Sequence, residues 1–325
     1  MLPAGQYIHD IDPIIGTIFG IHLWWYGLSY TLGFFNAVNF IKKRRGSLFL
    51  SDSQVYDLGI LIAAGVVVGG RAVEVIFYES AFYSENLALI PALWLGGMAS
   101  HGLLVGGLAA VWIFCRISGK PFLTMTDVLA PPASFILGMG RIGNFIDGQI
   151  LGSVTNVPWA VKFPDADGFR HPVVVYDGIK NLLIIPVLLF FFRRNVRPGV
   201  VTGLFLFLYS FLRIPVDVFR EYPTSLLGLA TGQALNIAFS LVGILVIVYS
   251  LRRRRSSEIE TLPVSESVCD LRWRKRVFNS ILVFCLIIPS DWTQDISARY
   301  GRRHPGLVRS SIYPKIVSVQ EDPAQ

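Results

Sequence analysis

Cysteine is nearly absent from this chain: three residues in 325, at positions 115, 269 and 285, with no C-x-x-C spacing. That excludes a disulfide framework and a cysteine-ligated zinc site. The five histidines (9, 22, 101, 171 and 304) also lack metal-ligand spacing. Charge is scarce, at 16% of residues, whereas 53% are hydrophobic. An ordinary soluble domain carries far more charge, so the composition points to a multi-spanning membrane protein. No nucleophile elbow and no P-loop is present. Residues 1–17 carry Asp10 and Asp12 but no Lys or Arg, the reverse of a basic leader, so no cleavable signal peptide is expected.

The net charge of +7 could suggest a nucleic-acid partner. Its distribution argues otherwise, because the basic residues sit in short clusters between apolar runs, where they mark topology. About seven runs approach the roughly 20 residues needed to cross a bilayer, near 18–40, 57–78, 91–115, 126–146, 174–192, 200–219 and 232–251. Lys42–Arg45, Arg116, Lys120, Arg193, Arg194, Arg197 and Arg252–Arg255 place thirteen basic residues at one set of ends. The other set has two, Lys162 and Arg170. The positive-inside rule then predicts an all-α polytopic fold with its N-terminus outside and its C-terminus cytoplasmic. Residues 1–255 form the membrane domain in this reading. Residues 256–325 form a poorly ordered basic cytoplasmic tail, whose thirteen-residue apolar run Val277–Pro289 is too short to span comfortably.

Polar residues inside this frame are the candidates for function, because lipid tolerates them only when they are paired or line a wet cavity. The stretch Gly138–Gly152 places Arg141, Asn144, Asp147 and Gln149 after an apolar run and among five glycines. Gly138, Gly140 and Gly143 spell G-x-G-x-x-G, but no strand or βαβ unit surrounds them, so a dinucleotide site is rejected. An anion site with a bidentate guanidinium is the better reading. His101 lies between glycines in the third run, either as a core histidine or as a base or headgroup donor. Arg71 and Glu74 are one turn apart and could simply pair; Arg213 and Asp217 are i, i+4 neighbours. Tyr26, beside Trp24 and Trp25, is either part of an interfacial aromatic belt or an inward hydroxyl. Three G-x-x-x-G patterns (65–69, 102–106, 148–152) mark possible close helix contacts. Chemistry in such a chain rests on positioned charge and one acid–base group, with no metal and no cofactor.

Over residues 8–252 the chain resembles bacterial prolipoprotein diacylglyceryl transferase. The resemblance is carried by Trp25 to Leu28, by Gly96, Gly97 and Met98 followed by His101 and Gly102, by Gly140 to Ile146 with Gly148 and Gly152, by Arg170, His171, Pro172 and Tyr176, and by Arg213 through Phe219, Arg220 and Glu221. It implies an enzyme of the bacterial cytoplasmic membrane that moves the diacylglyceryl group of phosphatidylglycerol to the lipobox cysteine thiol of a prolipoprotein signal peptide. By position, Arg141, Asn144, Gln149 and Asp217 would bind the lipid headgroup. Tyr26, His101 and Arg213 would be catalytic, with His101 as the base. The chain departs from the family pattern at Gln149, where an acid is usual, at Asp217, where Glu is usual, and at Val173 and Val174, where Ser and Gln are usual. These departures keep two alternatives open: a diverged paralogue with another acceptor, and a non-catalytic lipid-binding membrane protein.

Overall fold

A computed structural model describes residues 7–85, 87–93, 96–164, 166–220, 225–226, 229–253 and 268–289. Among them the long elements are helices: α1 (Trp25–Lys42), α2 (Asp52–Val73), α4 (Ser100–Ser118), α5 (Phe122–Ile146), α6 (Val173–Arg193), α7 (Val200–Phe211), α9 (Thr231–Arg252) and α10 (Val268–Leu286). Short helices α3 (Ser80–Glu85) and α8 (Arg213–Asp217) lie between them. Among the described residues, six helical segments are long and apolar enough to cross a membrane: Asp52–Tyr78, Ser100–Ser118, Phe122–Ile146, Val173–Arg193, Val200–Asp217 and Gly232–Arg252. α1, the first expected span, adds an eighteen-residue helix packed on α5. Apolar side chains such as Val68, Leu183, Leu241 and Leu245 stand exposed on the outside of these helices, as lipid-facing residues do.

Small residues set the contacts between helices. The first two G-x-x-x-G patterns face each other. A Cβ on Gly69 would collide with the Gly102 carbonyl oxygen, and one on Gly106 would collide with that of Gly65. This backbone contact locks α2 against α4 and fixes where α4 begins. Gly203 and Gly243 do the same for α7 and α9. The third pattern is not helical: Gly148 turns at φ +65 just after α5, and Gly152 packs on the His171 backbone.

Three expectations shift. The first span starts at Trp25 rather than residue 18, because β2 (Ile14–Ile18) and β3 (Ile21–Trp24) form an antiparallel hairpin. Its turn, Phe19 and Gly20, has φ of 50° and 80°, which suits the twist of a tight hairpin. The third span starts at Ser100 rather than 91, because Gly96 and Gly97 have φ of 86° and 82° and cannot extend the helix backward. Within the region assigned to a tail, Val268–Leu286 is a helix packed on α1 and α2, and residues 287–289 continue it without helix; the rest of that region lies outside the described residues.

At the end of the bundle opposite Lys42, short strands form a cap. β1 (Tyr7–Ile8) pairs in parallel with β4 (Val161–Lys162), and the His9 imidazole Nε2 lies 2.7 Å from the Phe145 carbonyl at the end of α5. The strands β5 (Ser225–Leu226) and β6 (Leu229–Ala230) form a small hairpin before α9.

Candidate active site

The site is built where α4, α5, α6, α8 and α9 converge near the cap. Two local features set its register. Asp127 of α5 accepts hydrogen bonds from the backbone N–H groups of Gly199 and Thr202, both at 2.7 Å, so a carboxylate from one helix caps the start of α7. Pro215 offers no N–H to the Phe211 carbonyl, and the helix breaks at Leu212, turning α8 with Arg213 and Asp217 into the bundle.

A single chain of polar contacts follows. Arg141 donates through Nε to Asp177 Oδ2 at 2.6 Å, through Nη1 to Asn144 Oδ1 at 3.3 Å and through Nη2 to Ser100 Oγ at 3.0 Å. Arg213 donates to the same Asp177 oxygen through Nη1 and to Asp217 Oδ1 through Nε at 2.9 Å. Lys180 stands 3.0 Å from Asp177 Oδ1, donates to the Tyr209 carbonyl at 2.9 Å and lies over the Tyr209 ring. Asn236 donates from Nδ2 to Asp217 Oδ2 at 2.7 Å, and its Oδ1 lies 3.0 Å from His101 Nε2. All of these side chains except Ser100 are buried.

The network assigns the histidine tautomer. Because Asn236 points its amide nitrogen at Asp217, it presents oxygen to His101, so Nε2 carries the proton. Nδ1 of His101 is buried and, among the described residues, without a hydrogen-bond partner. Asn144 is fixed in the same way: its Oδ1 serves Arg141, and its Nδ2 is a buried donor without a partner. Five N–H donors on Arg141 make three hydrogen bonds, so donors remain there too. Among the described residues the cluster brings three basic side chains, Arg141, Lys180 and Arg213, to two carboxylates, Asp177 and Asp217. Two buried guanidiniums that share one carboxylate favour a further anionic partner.

The sequence-derived residues divide. His101, Arg141, Asn144, Arg213 and Asp217 lie on the one chain of contacts. Tyr26 is fully buried on α1, and its hydroxyl donates to the Tyr30 hydroxyl at 3.2 Å. It borders the cluster's helix because Gly143 has no side chain: a Cβ there would meet the Tyr26 Cα at 2.9 Å. Gln149 is buried just past α5, with its backbone N–H on the Asn144 carbonyl at 2.9 Å. Asp177, Lys180 and Asn236 are not among the residues the sequence singles out. Asp177 and Lys180 are open to discovery by the rule that selects Arg213, since both are charges within an apolar run; Asn236 carries no such signal.

One helical turn from His101 and Arg141, Leu104 and Leu137 line a partly open apolar pocket together with Tyr30, Phe34, Val66, Ile136 and Phe205. The model of the prolipoprotein diacylglyceryl transferase family matches residues 13–249. The chain belongs to that family. Relatives named phosphatidylglycerol–prolipoprotein diacylglyceryl transferase include that of Mannheimia succiniciproducens, 39% identical over 255 residues, or 75% of this chain and 95% of the relative. That of Aliivibrio salmonicida is 37% identical over 252 residues, 75% and 89% of the two chains. That of Geobacter sulfurreducens is 36% identical over 258 residues, 77% and 98%. The family match contains every residue of the ionic chain and stops before α10.

Proposed function

We propose that this transferase takes the diacylglyceryl group of phosphatidylglycerol and places it on the lipobox cysteine thiol of a prolipoprotein signal peptide. The observation that carries the reading is the pair of buried guanidiniums, Arg141 and Arg213, on the one carboxylate Asp177, one helical turn from an apolar pocket lined by Leu104 and Leu137. An anionic headgroup on Arg141 and Arg213, with acyl chains in that pocket, satisfies both at once. The thiol sulfur attacks the glyceryl carbon, the carbon–oxygen bond to phosphate breaks, and glycerol phosphate leaves with the electron pair. His101 Nδ1 receives the thiol proton. The guanidiniums and the Asn144 amide stabilise the growing charge on the departing phosphate. Asp177 and the Asp217–Asn236 pair position the groups that touch substrate.

The basic ends of the helices, Lys42–Arg45 and Arg252, face the cytoplasm in this reading, and the capped end opens to the outer leaflet of the bacterial cytoplasmic membrane. Purified protein, phosphatidylglycerol vesicles and a lipobox peptide test the reaction. The expected products are a peptide heavier by one diacylglyceryl group and free glycerol phosphate. No peptide product, with the peptide's cysteine left free, would reject this acceptor. Release of glycerol phosphate without peptide modification would favour the second reading, another acceptor, which the buried amide Gln149 in place of an acid motivates.

A further inference from the structure

α10 does not lie along a surface. Its first turns meet the basic end of the bundle, and its last turn meets the capped end. Near its start, Arg274 Nε pairs with Asp57 Oδ1 at 2.6 Å, close to the beginning of α2. One turn on, Phe278 packs against Tyr56, and a Cβ on Gly59 would meet the Phe278 ring at 3.1 Å. Further along, Thr31 of α1 donates to the Leu282 carbonyl at 3.0 Å. At its end, a Cβ on Gly27 would collide with the Cys285 carbonyl oxygen. Gly27 is in the first turn of α1, beside Tyr26. α10 therefore runs antiparallel to α1 along its height. Its nineteen residues give about 28 Å of helix at 1.5 Å per residue, close to the ~30 Å of a bilayer's hydrocarbon core.

The charges are segregated to match. Arg272, Arg274, Lys275 and Arg276 occupy the half of α10 beside the basic end, where long side chains reach the interface. Val277 to Pro289 contains no charge, and the flank beyond it carries Asp291 and Asp295 before its first basic residues, Arg299, Arg302 and Arg303. Val283 and Phe284 are exposed on the outside, in the manner of lipid-facing residues. Counting uninterrupted apolar residues misses such a span, because its basic half is completed by snorkelling and by the Arg274–Asp57 pair.

We propose that α10 is an additional membrane-crossing helix, one that this chain carries beyond the matched family domain. It buttresses the turn of α1 that holds Tyr26 and delivers the chain from Ser290 onward to the capped side of the membrane, where the active site opens. The C-terminus then lies on the side opposite Arg252–Arg255, not in the cytoplasm. An epitope tag after Gln325, probed with protease in intact spheroplasts, tests this on the full chain. The expected result is removal of the tag without lysis. Deleting 268–289 while keeping the tag should reverse its side, so that removal then requires lysis. A tag protected in the intact full-length protein, or one on the same side with and without 268–289, overturns the proposal. These readouts concern sidedness alone and are independent of whether the transferase assay succeeds.

Discussion

Two arginine sites are buried in this bundle, and they are built on opposite principles. Arg71 on α2 donates to the carbonyls of Leu89, Ile90, Ala92, Gly96 and Gly97, and its guanidinium lies 4.8 Å from the centre of the Tyr83 ring. Its partners are backbone oxygens, and together they hold the turn that leads into α4. The simple i, i+3 pairing with Glu74 that adjacency suggests is replaced by this loop anchor, because five carbonyls outside any α-helix need donors. Arg141 and Arg213 instead share carboxylate Asp177 with Lys180, and Arg141 keeps donors beyond its three hydrogen bonds. The first arrangement is complete without a ligand. The second, in the proposed function, receives one.

The largest expected effects separate these sites. Arg141→Ala and Arg213→Ala should each slow diacylglyceryl transfer by about 100- to 1,000-fold, the effect of losing one charge-assisted contact to a developing anion (~2.7–4 kcal/mol). Arg71→Ala should instead deplete the protein from the membrane, since each orphaned buried carbonyl costs about 1–3 kcal/mol. Immunoblots paired with rates at matched protein level distinguish them. Near-normal transfer by either alanine variant at the Asp177 cluster would dissolve the contrast.

Arg213→Lys comes next. A point charge cannot reach Asp177 and Asp217 together in the planar geometry of the fork, so transfer should fall substantially while accumulation holds. Asp177→Asn should have a related effect, because it removes the carboxylate that Arg141, Lys180 and Arg213 share; Asp177→Glu should recover part of the loss. If Asp177→Asn raises KM for phosphatidylglycerol vesicles and lowers kcat, the carboxylate positions the clamp. Unchanged values for both would mean that the arginines hold their places without it.

A smaller effect is expected at the far end of the polar chain. Asn236→Ala removes the acceptor that sets the His101 tautomer, and the rate should drop by about 10- to 100-fold, at or below the range for losing a well-placed general base. The pH–rate profile should change with it; a profile identical to that of the parent would remove His101 from proton transfer. The mildest changes are Asp217→Glu, which keeps an i+4 carboxylate for Arg213, and Gln149→Glu, which restores the family's acid and should maintain or raise transfer to a lipobox thiol. Loss of activity in Gln149→Glu would show a site tuned around the amide.

Much of the bundle is legible in the sequence because lipid imposes a one-dimensional rule: a spanning helix needs a long apolar run, and its breaks fall near charge or glycine. Arg141 and Arg213 stand out by that rule. Asp177 follows the same logic but is hidden by its setting, since a lone acid in an apolar run does not announce which cations it joins. Asn236 is silent, being a neutral amide whose importance comes from His101, 135 residues away.

Sequence alone determined that this chain is a helical membrane protein of the transferase family, and that arginines, a histidine and an asparagine lie inside it. Those conclusions rest on local hydrophobicity, charge and motif order, which need no third dimension. Tertiary structure decided which arginine anchors a loop and which arginines share Asp177, which nitrogen of His101 is open, and where α10 begins and ends. Each depends on partners from distant helices, brought within hydrogen-bond reach only when glycine faces such as Gly65 and Gly106 let backbones touch.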